Sequence, residues 1–188
     1  MNNLMRVLLL MITVLSVSFF ANIATSYYQG KEIIPEEILS DNQPKIFKNL
    51  ELDKQINCLA TNIYFEARGE PVVGQIAIAQ VTLNRVNSKR FPNTICEVVY
   101  QAHKNSNGIP LRNRCQFSWY CDGKPETIID IVSYERAIAV AKMTYDNNYI
   151  DLTEGAEYFH KTTISPNWSR VYAKTVVINN HAFYRRQI

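Results

Sequence analysis

Apolar residues recur every three to four positions at Leu52, Ile56, Leu59, Ala60, Ile63 and Ala67, which predicts a helix from Leu52 to Arg68 with one buried face. Gly69 and then Pro71 supply a natural stop. A second helix fits residues 72–88, where Val73, Ile76, Ala77, Gln80, Val81, Asn84 and Val86 keep helical spacing. Gly74 and the alanines give that helix a narrow side for a close neighbour. "FPNTICEVVYQ" reads as a turn and a short third helix, and residues 102–125 as a loop or irregular hairpin. Over residues 127–147 a fourth helix is expected to turn Ile128, Ile131, Val132, Ile138, Ala141 and Tyr145 inward. The period then changes: "AEYFHKTT" and "TVVINNHAFYR" have strand character, joined through "SPNWSR". Helices followed by a small antiparallel hairpin make an α+β domain, residues 51–188.

Ahead of that domain, Arg6 precedes a run from Val7 to Ala24 that is apolar except for Thr13, Ser16, Ser18 and Asn22. It reads as an export signal or a single membrane anchor, with the domain outside the cytoplasm. Residues 25–50 are polar and broken by Pro35 and Pro44, as in a linker. The chain's 188 residues leave room for one ordinary domain, and 47% hydrophobic residues are enough for a core. A net charge of +3, without a basic block, argues against nucleic acid as a partner.

Export changes the meaning of the four cysteines, because an even number outside the cytoplasm favours disulfides. Of three possible pairings, the expected one joins Cys58 to Cys96, between two helices, and Cys115 to Cys121, around "QFSWY". Zinc is the rival, but no CxxC or HxxxH spacing supports it.

The stretch "IYFEARGEP", residues 63–71, carries the candidate chemistry. Glu66 falls in the last turn of the first helix, where the negative end of the macrodipole and burial beside Tyr64 and Phe65 both favour the protonated carboxyl. A carboxyl protonated near neutral pH can act as the general acid on a glycosidic bond. Arg68 and Glu70 are expected to pair with each other or with the helix end, while Glu70 is also a candidate second carboxylate. Phe117, Trp119 and Tyr120 on the cysteine-bounded loop, and Tyr158, Phe159, Trp168, Phe183 and Tyr184 in the tail, are candidates for stacking on sugar rings, with core packing expected to claim at least half of them. On an alternating strand Tyr158 and His160 share one face and Phe159 takes the other. His160 and His181 could face each other across the hairpin, as hydrogen-bond donors or as zinc ligands.

"NIYFEARGEPVVGQIAIAQVTLNRVNSKRFPNTICEVVYQ", then "CQFSWYCDGK", "GAEYFHKTTISPNW" and "NNHAFYR", together resemble the SleB/CwlJ-like, spore-cortex-lytic type of cell-wall hydrolase over about residues 55–186. The resemblance implies a lysozyme-like α+β fold acting on peptidoglycan, without a cofactor or metal, as a lytic transglycosylase cutting between N-acetylmuramic acid and N-acetylglucosamine. It places the family's catalytic glutamate on Glu66, and Glu70 with Arg68 is then expected to shape the turn that presents it. On this leading reading Glu70, Phe117, Trp119, Tyr158 and His160 are expected along the substrate. No wall-binding repeat of the kind many spore enzymes carry is read in these residues, and the expected signal or anchor and the four cysteines suit an exported wall enzyme or a phage lysis enzyme. Two other readings stand beside this one: a zinc amidase or peptidase using His160 and His181, and a non-catalytic wall-binding module.

Overall fold

The computed structural model describes residues 43–146 and 150–187, and residues 47–188 form one compact unit. The stretch expected as signal or anchor, 7–24, lies outside the described residues. Among those described, no helix is long and apolar enough to cross a membrane.

The first helix, α1, runs Gln43–Ala67, so residues 43–50, expected as linker, are helical. Pro44 does not break it, because in a first turn its missing N–H costs no hydrogen bond. Ile56, Leu59, Ala60, Ile63 and Ala67 are buried as their spacing predicts, whereas Leu52 is exposed. After α1 the chain turns at Arg68–Pro71 into α2, Val72–Val86. The predicted single face of α2 is too narrow: Gln75, Ala77, Ile78, Ala79, Val81, Thr82 and Arg85 are buried around most of its circumference, while Val73 is exposed. The reason is position. On one side α2 meets the core built from α1, the short helix α3 (Ile95–Val99) and the long helix α4 (Ile131–Asp146). On the other, Ala77, Ile78 and Val81 pack with Ala156 and Phe183 of the sheet region.

Between α3 and α4 lie a hairpin, β1 (Ala102–Lys104) with β2 (Pro110–Cys115), and a 3₁₀ turn, Ser118–Cys121. The inward face of α4 is Ala137, Val140, Ala141 and Thr144; Ile131, Val132 and Tyr145, expected inside, are exposed. Small residues fill this seam because bulkier ones would hold α4 away from α2. Where α4 begins, the Tyr64 hydroxyl accepts the backbone N–H groups of Ile129 and Asp130 at 3.3 and 3.1 Å.

The C-terminal part holds three strands, not a single hairpin: β3 (Tyr158–Lys161), β4 (Ala173–Ile178) and β5 (His181–Arg185), antiparallel in the order β3–β5–β4. The approach to β3 hangs from α2 by side chains. Gln80 Nε2 donates to the Ile150 carbonyl and Gln80 Oε1 accepts from Leu152 N, while Asn84 Nδ2 donates to Asp151 and to the Ala156 carbonyl. These two polar positions on the predicted apolar stripe therefore hold a loop. Both disulfides pair as expected, Cys58–Cys96 and Cys115–Cys121. By loop-closure entropy the first, spanning 38 residues, contributes roughly 4 kcal/mol and the second, spanning 6, roughly 2 kcal/mol.

Candidate active site

A cleft of about 550 Å³ opens between the end of α1 and the sheet, and Glu66 lines it. Glu66 retains some exposed surface, yet the protein packed around it pushes the carboxyl pKa up from 4.5 to about 7. Burial is the largest cause, opposed by the positive charges of Arg85 and then Lys161. A carboxyl with that pKa carries a proton on a large share of molecules at neutral pH and can also take one back.

Glu70 goes elsewhere, because α1 ends between the two glutamates. Its carboxylate accepts a hydrogen bond from Asn180 Nδ2 at 3.1 Å and lies 4.0 Å from His181 Nδ1. The Glu70 carbonyl accepts from Gln75 Nε2 at 3.0 Å. Glu70 thus ties the α1–α2 turn to the β4–β5 turn and does not line the cleft. Arg68 does not pair with it; its guanidinium sits 4.9 Å over the Tyr64 ring. Gly74 permits this close approach, since a Cβ there would lie 2.7 Å from the Asn179 side chain and 3.0 Å from Glu70 Cβ.

Tyr158 and His160 reach the cleft, together with Trp168 and Tyr172 from the 3₁₀ turn after β3 and the segment following it. The Tyr158 and Tyr172 rings lie 4.6 Å apart, and Trp168 contacts both. His160 is held at both nitrogens: Nδ1 is 2.8 Å from the Lys161 carbonyl, which requires Nδ1–H, so Nε2 at 2.9 Å accepts from the Tyr184 hydroxyl when the ring is neutral. It therefore shapes the cleft wall and holds rings in place.

Phe117 and Trp119 are core residues, 1% and 9% exposed. Trp119 Nε1 donates to Asn62 Oδ1 at 2.9 Å, and its ring stacks on Phe65 with centroids 4.6 Å apart. Phe117 lies under Arg85 at 4.6 Å. Their rings face inward because the disulfide-closed loop turns its polar side, Gln116 and Ser118, to the cleft.

The histidines do not face each other. His160 pairs with Ala182, and His181 with Lys161, so the two imidazoles occupy opposite faces of the sheet. Burial is the main cause lowering the His181 pKa, with Glu70 opposing it. Among the described residues no group of three or more His, Cys, Asp or Glu is placed to hold a metal ion.

Sequence reading missed Arg85, Lys161 and the grouping of Trp168 with Tyr172. The signal for Arg85 was a lone charge in a helix, residues 72–86, whose other residues carry none. Arg85 is 4% exposed, its Nε donates to the Glu157 carbonyl at 2.7 Å, and burial is the first cause lowering its pKa to about 10.

Residues 69–184 match the family described as Cell Wall Hydrolase. A spore cortex-lytic enzyme of Bacillus subtilis is 44% identical over 66 residues, which is 35% of this chain and 20% of that protein. One from Halalkalibacterium halodurans is 49% identical over 49 residues, 26% of this chain and 15% of that protein. The chain thus spans about a fifth or less of these relatives' lengths. Two solved structures match more broadly. The catalytic domain of the Bacillus cereus SleB protein is 26% identical with a TM-score of 0.50, covering 71% of this chain and 91% of that one. The catalytic domain of the germination-specific lytic transglycosylase SleB from Bacillus anthracis is 28% identical with a TM-score of 0.50, covering 70% and 93%. With its family match spanning more than half of its length, this chain belongs to the cell wall hydrolases.

Proposed function

We propose that this protein cleaves the glycan strands of peptidoglycan as a lytic transglycosylase, with Glu66 as its acid and base. The observation that carries this reading is a carboxyl with a pKa of about 7 on an open cleft walled by Tyr158, Trp168 and Tyr172. Such rings suit the apolar faces of sugars, and their polar tips can stay wet.

In the first half of the reaction Glu66 gives its proton to the glycosidic oxygen between N-acetylmuramic acid and N-acetylglucosamine. The C1–O bond breaks, and positive charge develops on the muramic sugar. In the second half that sugar's own C6 hydroxyl attacks C1, closing the anhydro ring, and its proton returns to Glu66. No water is consumed. A hydrolase would ordinarily need a second carboxylate. Among the described residues Glu66 is the one carboxylate lining the cleft. Glu70 is engaged with Asn180, Asp122 accepts from the Lys124 backbone, and Glu126 lines a separate hollow. The two disulfides suit a wall-side location, reached through residues 7–24 as export signal or anchor.

The test is to digest isolated sacculi with the full chain, disulfides formed, and with Glu66→Gln, and to identify soluble fragments by mass spectrometry. Anhydro-muramic ends from the parent alone are expected. Reducing ends would move the chemistry to hydrolysis. Free peptides, or equal activity in both proteins, would refute the Glu66 mechanism, and binding without any product would favour a wall-binding module.

A further inference from the structure

Burying a guanidinium is costly unless its charge and its hydrogen bonds are met. Arg85 is buried, and its Nη1 has no hydrogen-bond partner. What surrounds it is fixed and mostly uncharged. Its Nε donates to the Glu157 carbonyl, and its planar group lies 4.6 Å from the Phe117 ring, 5.2 Å from Phe91 and 5.9 Å from Tyr158. The nearby Glu157 carboxylate is claimed by Arg90, whose Nη2 donates to both oxygens at 2.6 Å. Arg85 therefore keeps a positive charge without a dedicated anion, on the cleft that Glu66 lines.

We propose that Arg85 is a positioning residue for Glu66, a cation clamped from behind by rings and the Glu157 carbonyl so that it steadies the Glu66 carboxylate whenever the proton has left. This rests on the reading of Glu66 as acid and base. Burial alone would hold Glu66 in its protonated form, a poor state for the half of the cycle that takes a proton back. A fixed cation alone would hold it ionised. The two opposed at one carboxyl bring its proton-bound and proton-free forms close in free energy, which a group used twice per turnover needs. The charged groups facing Glu66 are Arg85 from α2 and Lys161 from β3. Those facing Arg85 are Glu66, Glu157 and the Tyr158 phenol, with Arg90 beyond Glu157. His160 and His181 also line the cleft. Lys161 is exposed to water, so its charge is screened more than that of Arg85.

The decisive measurement uses the folded parent protein and no substrate. The Arg85 side-chain N–H resonances are followed by NMR from pH 5 to 9 in the full chain and in Glu66→Gln. The parent's signals are expected to shift with a midpoint near 7 and to stay flat in Glu66→Gln, which also separates Glu66 from the two histidines. Signals that stay flat in the parent, or that move alike in both proteins, overturn the proposal. In activity, Arg85→Met is expected to move the basic limb of the kcat/KM profile upward by about one pH unit or more and to lower kcat at least about tenfold, while Arg85→Lys restores the limb. A role in packing alone would lower stability and leave the limb in place. Because the titration needs no glycan, failure of sacculus digestion with intact coupling refutes the transglycosylase reading alone. Digestion without coupling refutes the role of Arg85 alone.

Discussion

Phe117, Trp119 and Tyr120 stand on a loop clipped by Cys115–Cys121, and Tyr158, Trp168 and Tyr172 stand on β3 and the chain that follows it. As strings of letters the two groups are equally suited to hold sugars. In the fold, Phe117 and Trp119 are interior, while all three rings of the second group are only partly buried and line the cleft. The difference lies behind each ring. Trp119 has an acceptor waiting in Asn62, which itself donates to Thr82 on α2, so its polar N–H can be buried at no loss. Trp168, in a turn with no buried residue, has other rings and the cleft around it. An aromatic residue goes inside when its polar edge is satisfied there, not simply because it is large.

The widest separation between the two groups should come from Trp119→Ala. Losing a buried ring and orphaning Asn62 is expected to cost about 3–5 kcal/mol, read from chemical denaturation. If stability held while cleavage vanished, the ring would belong to the cleft after all. On the cleft side the sign should reverse with Glu66→Gln. The folded pKa of Glu66 is raised from 4.5 to about 7, so its contribution to stability is complete below 4.5 and is lost as pH rises through 7. The always-neutral glutamine escapes that loss. Denaturation midpoints should match near pH 4.5 and favour the variant at pH 8 by about 3 kcal/mol at most, with cleavage abolished.

The disulfide-closed loop belongs to both groups, since its rings face the core while Cys115 and Ser118 line the cleft. Replacing Cys115 and Cys121 together by serine should cost roughly 2 kcal/mol and leave cleavage in the folded fraction. A complete loss of cleavage at full folding would assign the loop to the site. The smallest effect is expected from Trp168→Ala: about a tenfold drop in kcat/KM on sacculi, with a change in Tm of only a few degrees. A large drop in Tm would dissolve the contrast from the other end.

Much of this arrangement is legible along the chain wherever one face of an element is wet. The stripe on α1 from Ile56 to Ala67 marks its buried side, and the position of Glu66 at the end of that helix follows from the same spacing. α2 shows no such stripe, because it is covered on most sides. Gln80, Asn84 and Arg85 then look like flaws in an apolar face when each is a tether or part of the cleft. On α4 Ala141 lies inside as its spacing predicts, but Ile131 and Val132 outweigh Ala137 in hydrophobicity while the close seam selects for small volume, so the buried face is turned from the expected one. The third strand was hidden for another reason: β4 and β5 are joined by two residues, Asn179 and Asn180, inside what reads as one continuous run. No local pattern relates His160 to His181, because strand register is set by pairing partners distant in sequence.

The Tyr64 hydroxyl, which holds the first backbone amides before α4, has a consequence two residues further along α1. Asn62 is moored to α2 and to the 3₁₀ turn, Tyr64 to the start of α4, and Phe65 to the face of Trp119. Bearings taken on three separate elements triangulate the next residue, Glu66. Its backbone is surveyed into place by the fold itself, so under the proposed mechanism a bound strand would meet a proton donor already standing where it is needed, with little ordering left for binding to supply.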